Sequence, residues 1–406
     1  MIGRLCFGVL AALWLGCASA RILEVGPEKE FVFPSVAAKF ANDGDVIEID
    51  AAGDYLNDYA LWTQNDLTIR GVNGRPMIRS VGLIPNGKAI WVIRGNGVRV
   101  ENIEFSGAQV RDGNGAAIRL EGGEFTMSRC FVHDNENGIL SGVKLPKSEV
   151  LIEESEFAFN GKGDGRTHNI YVGQVGRFIL RNSYLHDAKV GHLVKSRARE
   201  NYILYNRLFE GGSSYAIDIS SGGYALVMGN LIHQGEDTDN WVMVVHGAEG
   251  LAYPDNGIEV VYNSFQNDRS SGIFTKVARG ADVLVVNNLF SGQGDVLEGH
   301  TKQKESFKSM VKRLIFPEAE DSTTETFPEG NVQVENNIHR KNLFKVFSDA
   351  EVHLNEPDIV GVIDAASDVK GFRGNELLPT TQIKGGMVQL RKQLGQKLDI
   401  GAVEYR

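Results

Sequence analysis

Apolar residues in this chain fall in short alternating runs, each closed by Gly, Asn, Asp or Ser, and the runs repeat. VENIEF ends at Phe105, LRNSYL at Leu185, LYNRLF at Phe209, VMGNLI at Ile232, VYNSF at Phe265, VVNNLF at Phe290 and VENNI at Ile338. Weaker copies, MSRCF and IEESEF, end at Phe131 and Phe157. Successive endpoints lie 26, 26, 28, 24, 23, 33, 25 and 48 residues apart. A second strand-like set lies between them, at Ala117–Leu120, Asn169–Val172, Ala216–Ile219 and Gly272–Thr275. Strands without intervening helical periodicity, repeating about every 25 residues, predict coils stacked as a parallel β-solenoid. Leucine-rich repeats would need a leucine framework, and a propeller blade about forty residues. The recurring Asn suits a turn with left-handed backbone, and identical stacked turns can form an amide ladder.

Both ends fit this reading. Ser35 is placed as N-cap of a short amphipathic helix carrying Val36, Ala37 and Phe40, which would cover the open first coil. Gly44–Ile49 and Leu67–Gly71 read as early strands. Residues 295–330 break the rhythm and read as an insertion, with a basic helix over Lys302–Phe316 and a polar loop over Glu318–Glu329. Residues 340–406 are expected to wrap or cap the C-terminal end. Length (406 residues) alone would allow two or three domains, but the repetition argues for one, from residue 21 to 406. With 47 Gly and 10 Pro the composition suits many tight turns.

Met1–Ala20 reads as an export signal: Arg4, an apolar stretch from Leu5 to Leu15, then Ala18-Ser19-Ala20. Lipidation at Cys17 is the rival. Cys6 and Cys17 lie in this segment, so the mature chain keeps Cys130 and no internal disulfide or zinc cluster is expected. Beyond the first twenty residues no apolar run is long enough for a membrane span. The net charge of −10 argues against a nucleic-acid partner.

The opening strands, the Asn-bearing coils and the closing Asp399-Ile400-Gly401-Ala402-Val403-Glu404-Tyr405 resemble the pectate-lyase-like right-handed parallel β-helix superfamily, across nearly the whole mature chain. The resemblance implies the fold; the superfamily holds lyases, hydrolases, epimerases and adhesins, so it leaves the activity open.

Residues one coil apart stack about 4.8 Å from each other. Polar groups on neighbouring coils therefore form a compact site. They are densest from 161 to 250: His168, Asn169 and Tyr171 on one coil, His192 and Lys195 to Arg199 on the next, then Asp218, then Trp241 and His246. From Gly161 to Arg199 eight Lys/Arg face two Asp, a local +6 within a chain of −10. This predicts a basic groove for an anionic ligand. The strand register leaves either Leu193 or Val194 inward. Taking Val194 inward puts Lys195, Arg197 and Arg199 outside, because an unpaired core lysine is costly. Adjacent cations would lower the Lys195 pKa towards a general base, Arg197 and Arg199 could neutralise a substrate carboxylate, and Tyr171, His192 or His168 could protonate a leaving oxygen.

Lys195-Ser196, Asn201, Ile203, Asn206, Val227 and Gly229-Asn230 are similar to the Lys-Ser region of the chondroitinase B and alginate lyase family. That similarity implies lysine as base, an arginine one coil later and an acidic calcium ligand before the lysine. Here Asp218 stands at the arginine position and Val190 at the acidic one, so no cofactor is assigned and Ca²⁺ stays open.

The expected function is β-elimination on an anionic, uronate-containing polysaccharide by an exported monomer. Lys195, Tyr171, His192 and Arg197 are expected to be catalytic. His168, Asn169, Arg199, Asp218, Trp241 and His246 are expected to bind substrate, and no metal ligands are named. The alternatives are a non-catalytic carbohydrate-binding protein, a uronan C5-epimerase, and a glycoside hydrolase using Asp218 and Asp239.

Overall fold

The computed structural model describes residues 20–142, 144–299, 330–346, 352–354, 362–384, 387–394 and 396–404. The export signal, Cys6, Cys17 and the expected elements over Lys302–Phe316 and Glu318–Glu329 lie outside the described residues.

The chain winds into three parallel sheets. Sheet A has twelve strands from Ile22–Val25 to Val332–Glu335, sheet B eleven from Tyr55–Leu56 to Ile338–Arg340, and sheet C ten from Ala60–Trp62 to Asp295–Glu298. One coil takes a strand from each in turn, as in Gln174–Arg181, Tyr184–His186 and Val194–Ser196. Alternation along each strand sends one set of side chains into a continuous core. Trp62, Trp91 and Phe105 meet there edge to face, with centroids 5.3 and 4.9 Å apart, and Phe265 stacks on Phe290 at 4.9 Å.

The Asn-bearing turns join sheet A to sheet B, and two adjacent positions divide the work expected of one. The first takes left-handed backbone: Asn102, Asn182, Asn287 and Asn336 have φ of 55, 54, 59 and 50°. The second points inward and builds the ladder. The Oδ1 of Asn230 accepts from the backbone N–H of Asn206 at 2.8 Å and from its side-chain amide at 3.0 Å; Asn263, Asn288 and Asn337 repeat the pattern. On earlier coils Ser155 and Ser183 hold the same position, accepting from the N–H groups of Cys130 and Ser155. Each of these turn donors thus finds an acceptor on the next coil, which a buried turn requires.

The N-terminal helix covers Pro34–Ala37. Phe33, not Ser35, is its N-cap, and Pro34 opens it with the fixed φ that a first turn prefers. The cap hydrogen bond comes from the following coil, where the Asp58 carboxylate accepts from the Ser35 N–H at 2.9 Å. Asp295–Glu298 continues sheet C beside Ile273–Val277, so the regular winding extends further into the expected insertion. Towards the C-terminus Leu343, Val362, Ala366, Val369, Leu377 and Ile400 pack on Tyr205, Tyr224, Met228, Tyr262, Leu284 and Val286, on the outside of sheet A. The C-terminal segment is therefore a strap along the side.

Glu210, fully enclosed beside Gln234 on the neighbouring coil, has neither carboxylate oxygen hydrogen-bonded. Burial pushes its pKa well above the ordinary carboxylate range. Above pH ~4.3 the unfolded chain releases this proton while the folded chain keeps it, so the group makes stability fall as pH rises. Glu210→Gln should remove that loss: its stability advantage in urea unfolding grows from pH 5 to pH 8. In the ladder, Asn263→Ala leaves the Asn230 N–H without its acceptor and takes the side-chain donor from the Val227 and Val261 carbonyls, of which Val261 keeps the Gly229 N–H. It should cost roughly 3–5 kcal/mol by urea unfolding, and Asn263→Ser, which keeps an acceptor, clearly less.

Candidate functional site

The outside of sheet C carries the chemistry. Parallel register puts Tyr171, Lys195 and Asp218 in one outward row on consecutive coils, continued by Val245, Lys276 and Glu298. Val194, Ser196 and Ala198 are fully buried, as the expected register requires, while Lys195 and Arg197 are partly exposed and Arg199 exposed. Leu193 is buried as well, so the strand enters with two successive inward residues.

Lys195 Nζ lies 3.2 Å from Asp218 Oδ2 and 3.1 Å from Glu249 Oε1. Burial alone would lower the lysine pKa, but these two carboxylates outweigh it and hold it above its usual value. The expected depression by neighbouring cations therefore does not occur; Lys195 rests as an ammonium ion. Asp218 shifts upward through burial, against the pull of Lys195 and a 2.7 Å hydrogen bond from Ser220. Its Oδ1 is buried without a partner. Arg197 forks onto Glu249, Nε at 2.9 Å to Oε2 and a terminal nitrogen at 2.7 Å to Oε1, and sits 5.0 Å from the Tyr171 ring centroid. Burial would raise the Glu249 pKa, but the hydrogen bonds from Arg197 and Lys195 bring it below normal.

Beside this row His168 stacks on His192 at 4.6 Å, and His192 lies 4.8 Å from Tyr215. Each imidazole is locked by backbone: His168 Nδ1 accepts from the His192 N–H and His192 Nδ1 from the Tyr215 N–H. His192 Nε2 faces Asp218 Oδ2 at 3.5 Å. Burial and then Lys195 push His192 to about 3; burial, then His192, lowers His168 well below its usual range. Both are buried, and burial favours their neutral forms.

The row continues into a groove of about 1030 Å³ lined in part by Tyr215, Trp241, Lys276 and Arg279, where Trp241 is 56% exposed. Two expected ligand residues are buried, although His246 is among the residues that border this groove. Asn169 is fully buried and accepts from Asn160 in an internal amide pair. His246 is fully buried, with Nε2 against the Gly223 carbonyl, and burial lowers it to about 4. Asp218 pairs in register with Val245, not Asp239, so the expected carboxylate pair does not form.

The basic groove does not form either. Arg177 and Arg181 project from sheet A and pair with Glu149, Glu200 and Glu153; Lys189 pairs with Asp134 and Arg199 with Asp255. Acids from other coils neutralise a stretch that is +6 only when read linearly. Sequence reasoning missed Glu249, on a loop between Gly247 and Gly250, both with positive φ (77 and 104°). The two glycines signal a turn, but nothing in their spacing from Lys195 announces the contact.

The winding and its outward row define a right-handed parallel β-helix of pectate-lyase-like architecture. Residues 141–306 match the family described as right handed beta helix region. Among solved structures, the crystal structure of pectate lyase Pel9A aligns over 96% of this chain and 98% of its own, at 14% identity and a TM-score of 0.55. That is a likeness of fold. No curated protein matches, and the similarity around Lys195 to chondroitinase B and alginate lyases is not shown by the pectate lyase match. Among the described residues no helix is long and apolar enough to cross a membrane, and no group of three or more His, Cys, Asp or Glu is placed to hold a metal ion.

His186 contrasts with the stacked pair: burial opposes its charged form, but hydrogen bonds to Asp187 and Glu156 raise it above 6.5. In an NMR titration from pH 5 to 8, the ring signals of His168 and His192 should stay constant while those of His186 shift.

Proposed function

We propose that the protein is a polysaccharide lyase that cleaves an anionic, uronate-containing chain by β-elimination on the outside of sheet C. One observation carries this reading: Tyr171, Lys195 and Asp218 stand in register on consecutive coils, Asp218 buried and Tyr171 and Lys195 partly exposed, with Arg197 beside them. The pectate lyase likeness supports a polysaccharide ligand for the fold.

Elimination needs a cation at the uronate carboxylate, a base for the C5 proton and an acid for the leaving oxygen. Arg197 binds the carboxylate and draws charge from it, which acidifies C5. Lys195 passes its proton to Asp218, whose pKa burial raises above the ordinary carboxylate value. The free amine takes the C5 proton; the C5–H and C4–O bonds break as the C4=C5 double bond forms. Tyr171 protonates the departing O4 and is reprotonated by water. Asp218 then returns its proton to solvent, and the resting ion pair with Lys195 is restored. Trp241 and Tyr215 offer faces for neighbouring sugar rings.

A glycoside hydrolase is the second reading. It is favoured by Asp218 and Glu249 flanking one ammonium with pKa values displaced in opposite directions, up for Asp218 and down for Glu249.

Incubation with alginate, glycosaminoglycans and bacterial uronate-containing exopolysaccharides should generate the ultraviolet absorbance of an unsaturated uronate. Lys195→Ala should lower that rate by roughly 10²–10⁴-fold. Reducing ends without the chromophore, lost in Asp218→Asn, would establish the hydrolase instead. Folded protein that yields neither product would overturn both.

A further inference from the structure

The Lys195–Arg197 pair is built as a carboxylate receptor, and the chain fills it with its own carboxylate. The two cations belong to the wall: the Lys195 side chain is 14% exposed and anchored on Asp218, and that of Arg197 is 24% exposed and lies by the Tyr171 ring. Their shared partner is the more accessible member, with the Glu249 side chain 43% exposed. Glu249 receives both arms of the guanidinium and one lysine N–H, the pattern with which a planar carboxylate ligand would be bound.

Its loop is held at several points. The Glu249 N–H bonds the Ser220 carbonyl, the Ala252 N–H the Ser221 carbonyl, and the Tyr253 hydroxyl the Arg197 carbonyl at 2.5 Å. Between Gly247 and Gly250, however, only Ala248 and Glu249 intervene. Rotation of the Glu249 side chain alone would free the fork while Tyr253 keeps the loop in place.

We propose that Arg197, beside Lys195, forms the subsite for a sugar carboxylate, and that Glu249 is an internal stand-in that the ligand displaces. This rests on the proposed action on an anionic chain and specifies how its charge is read. A tethered carboxylate competes at an effective concentration in the millimolar range, so a single uronate displaces it poorly. A polymer that presents many carboxylates and also engages the Trp241 groove does so readily. The stand-in thus selects charged polymers over charged monomers. It also keeps Lys195 protonated until Glu249 has left.

Monosaccharide uronates carry no leaving group at O4 and therefore separate binding from cleavage. NMR titration of glucuronate, galacturonate and mannuronate should show at least one of them binding Glu249→Ala about fivefold or more tighter than the unaltered protein. The matching neutral hexose should show no gain, and the gain should vanish in Glu249→Ala/Arg197→Gln. A thermal unfolding scan confirms that the variants are folded; loss of a partly exposed pair leaves the fold intact. The proposal is overturned if no uronate binds tighter to Glu249→Ala, if the neutral sugar gains equally, or if the gain survives without Arg197. A uronate gain without unsaturated product from any polymer would keep the subsite and retire the elimination. Product formation with no Glu249 effect would do the reverse.

Discussion

Everything in this molecule depends on neighbouring coils being in parallel register, because the spacing of about 4.8 Å is what makes distant residues neighbours. The register is enforced by directional bonds as well as by the core. Asn206, Asn230, Asn263, Asn288 and Asn337 each accept from the coil before, so a slipped coil would strand buried amides on both sides. The same register that satisfies these turns delivers Tyr171, Lys195 and Asp218 to one row. Stability and site geometry share one cause.

The electrostatics of the row follow from burial and pairing. Three neighbours decide its protonation: Asp218 is pushed towards its acid form by lack of water, Glu249 is held ionised by two cations, and the histidines are kept neutral by burial and then by neighbouring positive charge. Asp218 has the features of a group that can take and return a proton, since burial raises its pKa while Lys195 and Ser220 pull it back. Lys195 alone would not titrate usefully; Lys195 coupled to Asp218 can.

Much of the architecture was legible in the chain because it is written in local patterns. Alternation together with the cost of burying an unpaired lysine placed Val194, Ser196 and Ala198 inward, the repeat placed Asp218 one coil after Lys195, and helical spacing located the helix at Pro34–Ala37. What failed was everything set by contacts between coils. The charge count from 161 to 199 could not see Glu149, Glu153, Glu200 or Asp134 across the rungs. Ser35 looked like a cap because the true acceptor, Asp58, lies a coil away. Asn169 and His246 have polar side chains of the type that binds sugars, yet both face inward, and only three-dimensional register separates an inward polar residue from an outward one.

The strap on sheet A divides that sheet into two halves of opposite character. Early coils face water with rows of paired ions, such as Arg70 with Glu48 and Arg129 with Glu101, while later coils present Tyr224, Met228, Tyr262 and Leu284. The residues that cover this second half come later in the chain than the strands they cover. A nascent chain therefore carries an oily stripe until that segment is synthesised, and the strap acts for it as a folding-time shield against association with other chains.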